Sequence, residues 1–130
     1  MFALDANTLI YALKGLGRVQ ERMEDLDPGD LAIPAVVAYE IEVGTLCSNR
    51  PDARRRDVQR LFKALKILPF DARAAEQAAR VRHRLERNGE KIGPLDTLIA
   101  GTALAFGATL VTRNTREFSR VQGLHIEDWF

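Results

Sequence analysis

The feature that most limits what this chain can fold into is an alternation. Short apolar runs take turns with stretches of helical spacing from one end to the other. Phe2-Ala3-Leu4, Leu31-Ala32-Ile33, Ile67-Leu68-Pro69, Thr109-Leu110-Val111 and the final His125-Ile126-Glu127 are the strand candidates. Strands buried on both faces read as continuous apolar runs, and intervening helices supply the crossovers that parallel pairing needs. The expected architecture is therefore α/β, a three-layer sandwich with a mostly parallel central sheet flanked by helices.

The helices can be placed from spacing and end signals. Asn7 to Leu13 carries Leu9, Ile10 and Leu13 on one side, and Val19 to Leu26 is a second, short helix closed by the turn signal Asp27-Pro28-Gly29-Asp30. Gly15 and Gly17 read as a helix stop and a turn, because a dinucleotide loop would need a third glycine and a preceding strand. Pro34 is expected to open a helix over Ala35 to Cys47, at a position where a missing N–H is harmless. A fourth helix, from about Pro51 to Lys66, shows a Val58, Leu61, Phe62, Leu65 stripe, and Asp71 caps a long fifth over Ala72 to Arg87 with core residues Ala74, Ala78, Val81 and Leu85. Gly93-Pro94 starts a sixth, with Leu95, Leu98, Ile99, Thr102 and Phe106 as packing face and Gly107 as stop. Thr115 to Phe118 is a helical turn.

A chain of 130 residues fits one domain with a single core, spanning residues 1–130. Cys47 is its only cysteine, which excludes an intrachain disulfide and a Cys-rich zinc site and favours a reducing compartment, with cytoplasm the expectation. No basic leader follows Met1, and no apolar run is long enough for a membrane span. Net charge is only +1, but residues 1–49 carry −5, residues 50–91 carry +7 and residues 92–130 carry −1. On the fifth helix Arg73, Arg80, Arg84 and Arg87 form a ridge apart from the core stripe, and a planar guanidinium suits phosphate oxygens. The simpler account of such a ridge is a solvated face paired with acids such as Glu76 and Glu90.

Nucleophilic chemistry is poorly supplied. His83 sits between two arginines, His125 lies in the last strand candidate, and neither Ser48 nor Ser119 has a nucleophile-elbow context. Acids are what remain. Asp5 ends the first strand, at the sheet edge where open α/β folds bind ligands, although capping of the next helix would explain it equally. Asp96 lies in the first turn of the sixth helix, followed on its own side by Ala100 and Ala103. On the third helix Glu40 and Glu42 point about 200° apart and cannot share a site, and periodicity leaves the choice between them open. Thr112-Arg113-Asn114 lies just past the fourth strand. Clustered carboxylates without counter-charge repel, and a hard divalent cation such as Mg²⁺ removes that penalty with two or three of them as oxygen ligands. Such a site hydrolyses phosphodiesters without a histidine or a covalent intermediate.

LDANTLIYALKG at the start, AYEIEVG in the third helix and IGPLDTLIAGTALAFGATLVTRNTREFSRVQGLHIEDW at the end resemble, in order and spacing, the PIN-domain ribonucleases of the VapC toxin family. The resemblance implies a PIN-like fold and an Mg²⁺- or Mn²⁺-dependent endoribonuclease that blocks translation. It implies that Asp5, Glu40 and Asp96 are catalytic and metal-binding, selecting Glu40 over Glu42. A fourth acid of the family falls on Asn114, so Asn114 itself or Glu117 would complete the site, with Thr112 and Asn7 in support. It further implies a VapB-type antitoxin, homodimerisation, an RNA substrate that could be transfer RNA, and cleavage to 5′-phosphate and 3′-hydroxyl ends. Arg80, Arg84, Arg87 and Arg113 are the candidate RNA contacts. Two other readings stay in view: an RNA- or partner-binding module whose site has decayed, motivated by Asn114, and a phosphatase of the haloacid-dehalogenase type. The latter opens with D-x-D-x-T, where this chain has Asp5-Ala6-Asn7-Thr8.

Overall fold

The computed structural model describes residues Met1–Phe130. Five strands, β1 (Phe2–Leu4), β2 (Leu31–Pro34), β3 (Lys66–Leu68), β4 (Thr109–Val111) and β5 (Ile126–Glu127), form one sheet in the order β3-β2-β1-β4-β5. Every pairing is parallel, so the mostly parallel expectation is met in full. Seven helices make the crossovers and flank the sheet: α1 (Ala6–Lys14), α2 (Val19–Glu24), α3 (Ala35–Leu46), α4 (Pro51–Ala64), α5 (Ala72–Arg87), α6 (Pro94–Ala105) and α7 (Thr115–Phe118).

The chain lays β1, β2 and β3 to one side, then crosses back to lay β4 and β5 on the other side of β1. Between β1 and β4 the winding direction therefore reverses. At such a reversal the two following segments leave the sheet in opposite directions and open a crevice at the strands' carboxyl ends. Asp5 follows β1 and Thr112 follows β4, so both stand at that crevice.

The core that holds this edge in place is continuous. Leu4, Leu9, Ile33, Val37, Ile99, Leu110 and Phe118 are almost wholly buried, and each comes from a different element. Helix α6 is enclosed along most of its length: Thr97, Ile99, Ala100, Gly101, Thr102, Ala103 and Ala105 are all buried. Two threonines within it spend their hydroxyls on the preceding turn, Thr97 Oγ1 on Gly93 O at 3.0 Å and Thr102 Oγ1 on Leu98 O at 2.9 Å, which is how a polar side chain survives inside a helix.

Several boundaries differ from the sequence expectation. Pro34 is the last residue of β2 and the N-cap of α3, with φ −57° and ψ 142°, instead of the first helical residue. Helix α4 stops at Ala64 because Leu65 turns extended (φ −114°, ψ 149°) to bury its side chain, and β3 begins at once at Lys66. Helix α2 ends at Glu24, two residues early. Leu95, expected on the packing face of α6, is exposed.

Candidate active site

Asp5 stands at the carboxyl end of β1 and caps the helix that follows. Its backbone N–H donates to Val111 O at 3.1 Å, continuing the β1–β4 ladder by one residue, and its Oδ1 accepts from the Thr8 N–H at 2.9 Å as the N-cap of α1. Thr8, buried, donates its hydroxyl to the same Val111 O at 3.1 Å. Asp5 is thus fixed to both strands at the switch point with one carboxylate oxygen committed to the cap. Asn7, the residue expected to orient it, is exposed and makes no hydrogen bond to it; Thr8 does that work.

Glu40 and Glu42 part as helix geometry requires. Glu42 faces α4, where Arg55 Nη1 lies 3.7 Å from its Oε2. Glu40, half-buried, lies toward the crevice: burial first, then the charges of Asp96 and Asp5, raise its pKa above the ordinary glutamate value. Gly44, one turn after Glu40, faces open space, with nothing within 4 Å of where a Cβ would stand.

Asp96 opens α6 directly after the Gly93-Pro94 entry, and a Cβ on Gly93 would sit 3.4 Å from its Oδ2. Its pKa is pushed up to about 6, chiefly by burial, then by the charge of Glu117 and a hydrogen bond with it, and last by Asp5. Every charge that shifts Asp96 or Glu40 is negative.

The segment after β4 is shaped by its own side chains. Thr112, fully buried, accepts at Oγ1 from the Asn114 N–H at 2.9 Å, and Asn114 Nδ2 donates to Glu117 Oε2 at 3.2 Å. Asn114 therefore holds Glu117 by its amide, and Glu117 is the group that reaches Asp96. Arg113 lies apart from the acids: its guanidinium stacks 3.8 Å from the Phe130 ring centroid and 5.8 Å from that of Tyr11. On α5, Arg80, Arg84 and Arg87 are exposed, and Arg80 Nη2 is held by Glu76 at 2.8 Å, the surface pairing that was the simpler account of the ridge.

The crevice thus gathers Asp5, Glu40, Asp96 and Glu117 from four separate elements with no cation among them. No three of these side chains converge as tightly as the ligands of one ion. The set nonetheless fits a hard divalent cation on chemistry: its acids are oxygen donors alone, and burial, with repulsion added to it, already displaces two of them from their ordinary titration. Thr8 and Glu42 show what sequence reading could not decide. Thr8 had a signal, a hydroxyl three residues after a candidate cap, whereas the fate of Glu42 depended on Arg55 of another helix.

Fold and site together define an α/β protein with an acidic crevice at the reversal of its parallel sheet. Comparison with known proteins narrows the class. The family model for the PIN domain matches residues 2–124. The tRNA(fMet)-specific endonuclease VapC of Shigella flexneri is 37% identical over 129 residues, which cover 98% of this chain and 97% of that protein. Among solved structures, one of VapBC2 from Rickettsia felis bound to a DNA fragment from their promoter contains a chain that matches with a TM-score of 0.92 at 31% identity, covering 99% of this chain and 98% of that one. The DNA-bound VapBC of Salmonella typhimurium gives a TM-score of 0.92 at 34% identity, with the same coverage. The chain belongs to the PIN-domain family, and within it to the VapC ribonuclease toxins.

Proposed function

We propose that this chain is a metal-dependent endoribonuclease, one PIN domain over residues 1–130, acting as the toxin of a toxin–antitoxin pair in the cytoplasm. The observation that carries the proposal is the gathering of acids at the sheet's switch point, where burial and neighbouring carboxylates, Asp96 and Asp5 for Glu40 and Glu117 and Asp5 for Asp96, disfavour the charged forms of Glu40 and Asp96. Four unneutralised acids in one crevice cost stability, and a cation is what offsets that cost. Asp5, Glu40 and Asp96 would hold Mg²⁺ or Mn²⁺, with Glu117, positioned by Asn114, completing the site. Such an ion, when bound, supplies Lewis-acid polarisation of a phosphoryl oxygen and of the attacking water.

The protein's own contributions are positional. Thr8 and the β1–β4 ladder fix Asp5, and Thr112 fixes the turn that presents Asn114. In the hydrolysis, water oxygen forms the new bond to phosphorus as the bond to the 3′ oxygen breaks, giving 5′-phosphate and 3′-hydroxyl ends. Transfer RNA is the proposed substrate, supported by the specificity in the name of the Shigella flexneri relative. A VapB-type antitoxin is the proposed partner, supported by the VapBC complexes among the similar structures. Homodimerisation is proposed as well: Tyr39, Val43 and Leu46 lie one turn apart on α3 and are all exposed, an apolar stripe suited to a protein partner. No helix is long and apolar enough to cross a membrane. The phosphatase reading gains no support, because Asn7, at the position of its second acid, is exposed and hydrogen-bonds none of the crevice acids.

The test is incubation of purified, antitoxin-free protein with total transfer RNA, with Mg²⁺, with Mn²⁺ and with chelator. Discrete fragments bearing 5′-phosphate ends, formed only with metal, are expected. Intact RNA in every condition, from protein whose thermal melt shows it folded, would leave the decayed binding module as the better account.

A further inference from the structure

The acidic crevice repels the polyanion it is proposed to cut, so affinity for RNA must come from a surface outside it. Helix α5 offers one. Its arginines fall into two sets: Arg82 is held by Glu86 at 2.8 Å and Arg80 by Glu76 at 2.8 Å, whereas Arg84 and Arg87 form no ion pair. Arg80, Arg84 and Arg87, with Asn88 and Gln122, rim a groove of about 540 Å³ over an apolar floor that includes Leu104 and Val121, and no acid lines it.

The arginine end of the groove lies toward the same edge of the sheet as the crevice. Helices α5 and α6 run antiparallel and pack hard together where Gly101 meets Ala78, since a Cβ at Gly101 would lie 2.6 Å from Ala78 atoms. At a rise of about 1.5 Å per residue, Asp96 lies about 7 Å from that crossing toward the site edge, and Arg84 and Arg87 lie about 9 and about 13 Å along α5 in the same direction. Measured along the helix axes, the two free arginines are therefore level with the acid or beyond it. On the opposite rim Gln122 follows closely after Glu117, and Arg120 Nη1 donates to Lys91 O at 3.2 Å, tying that rim to the loop that enters α6.

We propose that this groove holds the RNA backbone beside the cleaved bond, with Arg84 and Arg87 each bonding a phosphate. The proposal rests on the ribonuclease reading and adds where the substrate lies: along α5, on the Glu117 side of the crevice. Free guanidinium forks match phosphate oxygens in pairs, and a rim of arginine and amide groups satisfies backbone without reading bases. Arg80 is secondary because Glu76 occupies it, and Arg113 is excluded because it is stacked on Phe130.

The test is transfer RNA binding across a range of salt by the Asp96→Asn protein, which does not cut, carrying in addition Arg84→Gln and Arg87→Gln. The parent should bind with a strong salt dependence, and the double arginine variant should show weaker binding and a log–log salt slope shallower by about 1.4 to 1.8, the loss of two phosphate contacts. Arg84→Lys with Arg87→Lys should retain the slope, and Arg82→Gln, which removes a single charge outside the groove, should not change it. In the active background the double Gln variant should raise KM more than it lowers kcat. An unchanged slope in the double Gln variant overturns the groove while leaving the ribonuclease intact. So does an arginine-dependent affinity for a polyglutamate peptide without one for RNA, which would assign the groove to an acidic protein segment. A parent that binds no transfer RNA at any salt overturns the ribonuclease reading itself.

Discussion

Asp96 titrates near 6 because burial and two other acids disfavour its charge, and the sign of that shift makes a prediction. Its pKa is raised on folding from 3.8, so the folded state holds the proton more tightly than the unfolded chain. The resulting stabilisation is full below about 3.8 and is lost as pH rises through about 6. Solvent screening of this half-buried group leaves an effect of about 1 kcal/mol, and Glu40 shifts in the same direction. Thermal melts of metal-free protein should therefore gain more from added Mg²⁺ at pH 7.5 than at pH 5. Asp96→Asn should raise the metal-free melting temperature at pH 7.5 and shrink the gain. Equal metal stabilisation at both pH values would remove the acidic cluster as the place the ion binds.

At the scale of elements, α5 against α6 is the contact that fixes the crevice wall, and its tightest point is Gly101. A Cβ there would overlap Ala78 backbone, so Gly101→Ala gives up about 1 kcal/mol of gained helix propensity to overpacking that costs about 1–3 kcal/mol or more. Gly101→Val should destabilise strongly and Gly107→Ala, at a helix end with open space but φ +62°, by less; urea unfolding compares them. The stripes on α5 were legible, since Ala74, Ala78, Val81 and Leu85 repeat at helical spacing and all are buried. The close approach was not. Sequence showed a glycine in each of α3 and α6, and only the packing of a neighbouring helix could tell that Gly101 is pressed while Gly44 faces open space. The same limit explains Leu95, whose helical phase matched the core stripe although it lies in the exposed first turn beside the crevice.

For the whole molecule, strands and helices could be placed from alternation and end signals, but strand order is a property of long-range pairing that local pattern does not encode. The order β3-β2-β1-β4-β5 is what turns four acids scattered over the chain into one crevice. Asp5, Glu40 and Asp96 were reachable by resemblance; the hold of Asn114 on Glu117 was not, because it depends on the Thr112 turn. The last residues also lock the edge: Phe130 packs on Gly17, stacks with Tyr11 and Arg113, and its carbonyl accepts from Arg18 N–H at 3.3 Å. Phe130→Ala should lower the melting temperature by roughly 3–5 °C, as expected for the loss of about 1 kcal/mol of stacking in a chain of this size.

The most direct test of the central claim sets Glu40 against Glu42, two acids on one helix of which only the first shares the crevice. Initial rates of Mg²⁺-dependent transfer RNA cleavage should fall about 10³-fold or more in Glu40→Gln, the scale of losing a group that stabilises transition-state charge. Glu42→Gln should cleave within about twofold of the parent, because it loses only an exposed pairing with Arg55, worth about 1 kcal/mol at most in stability. Equal rates in the two variants, or a greater loss in Glu42→Gln, would contradict the assignment of the crevice as the catalytic site.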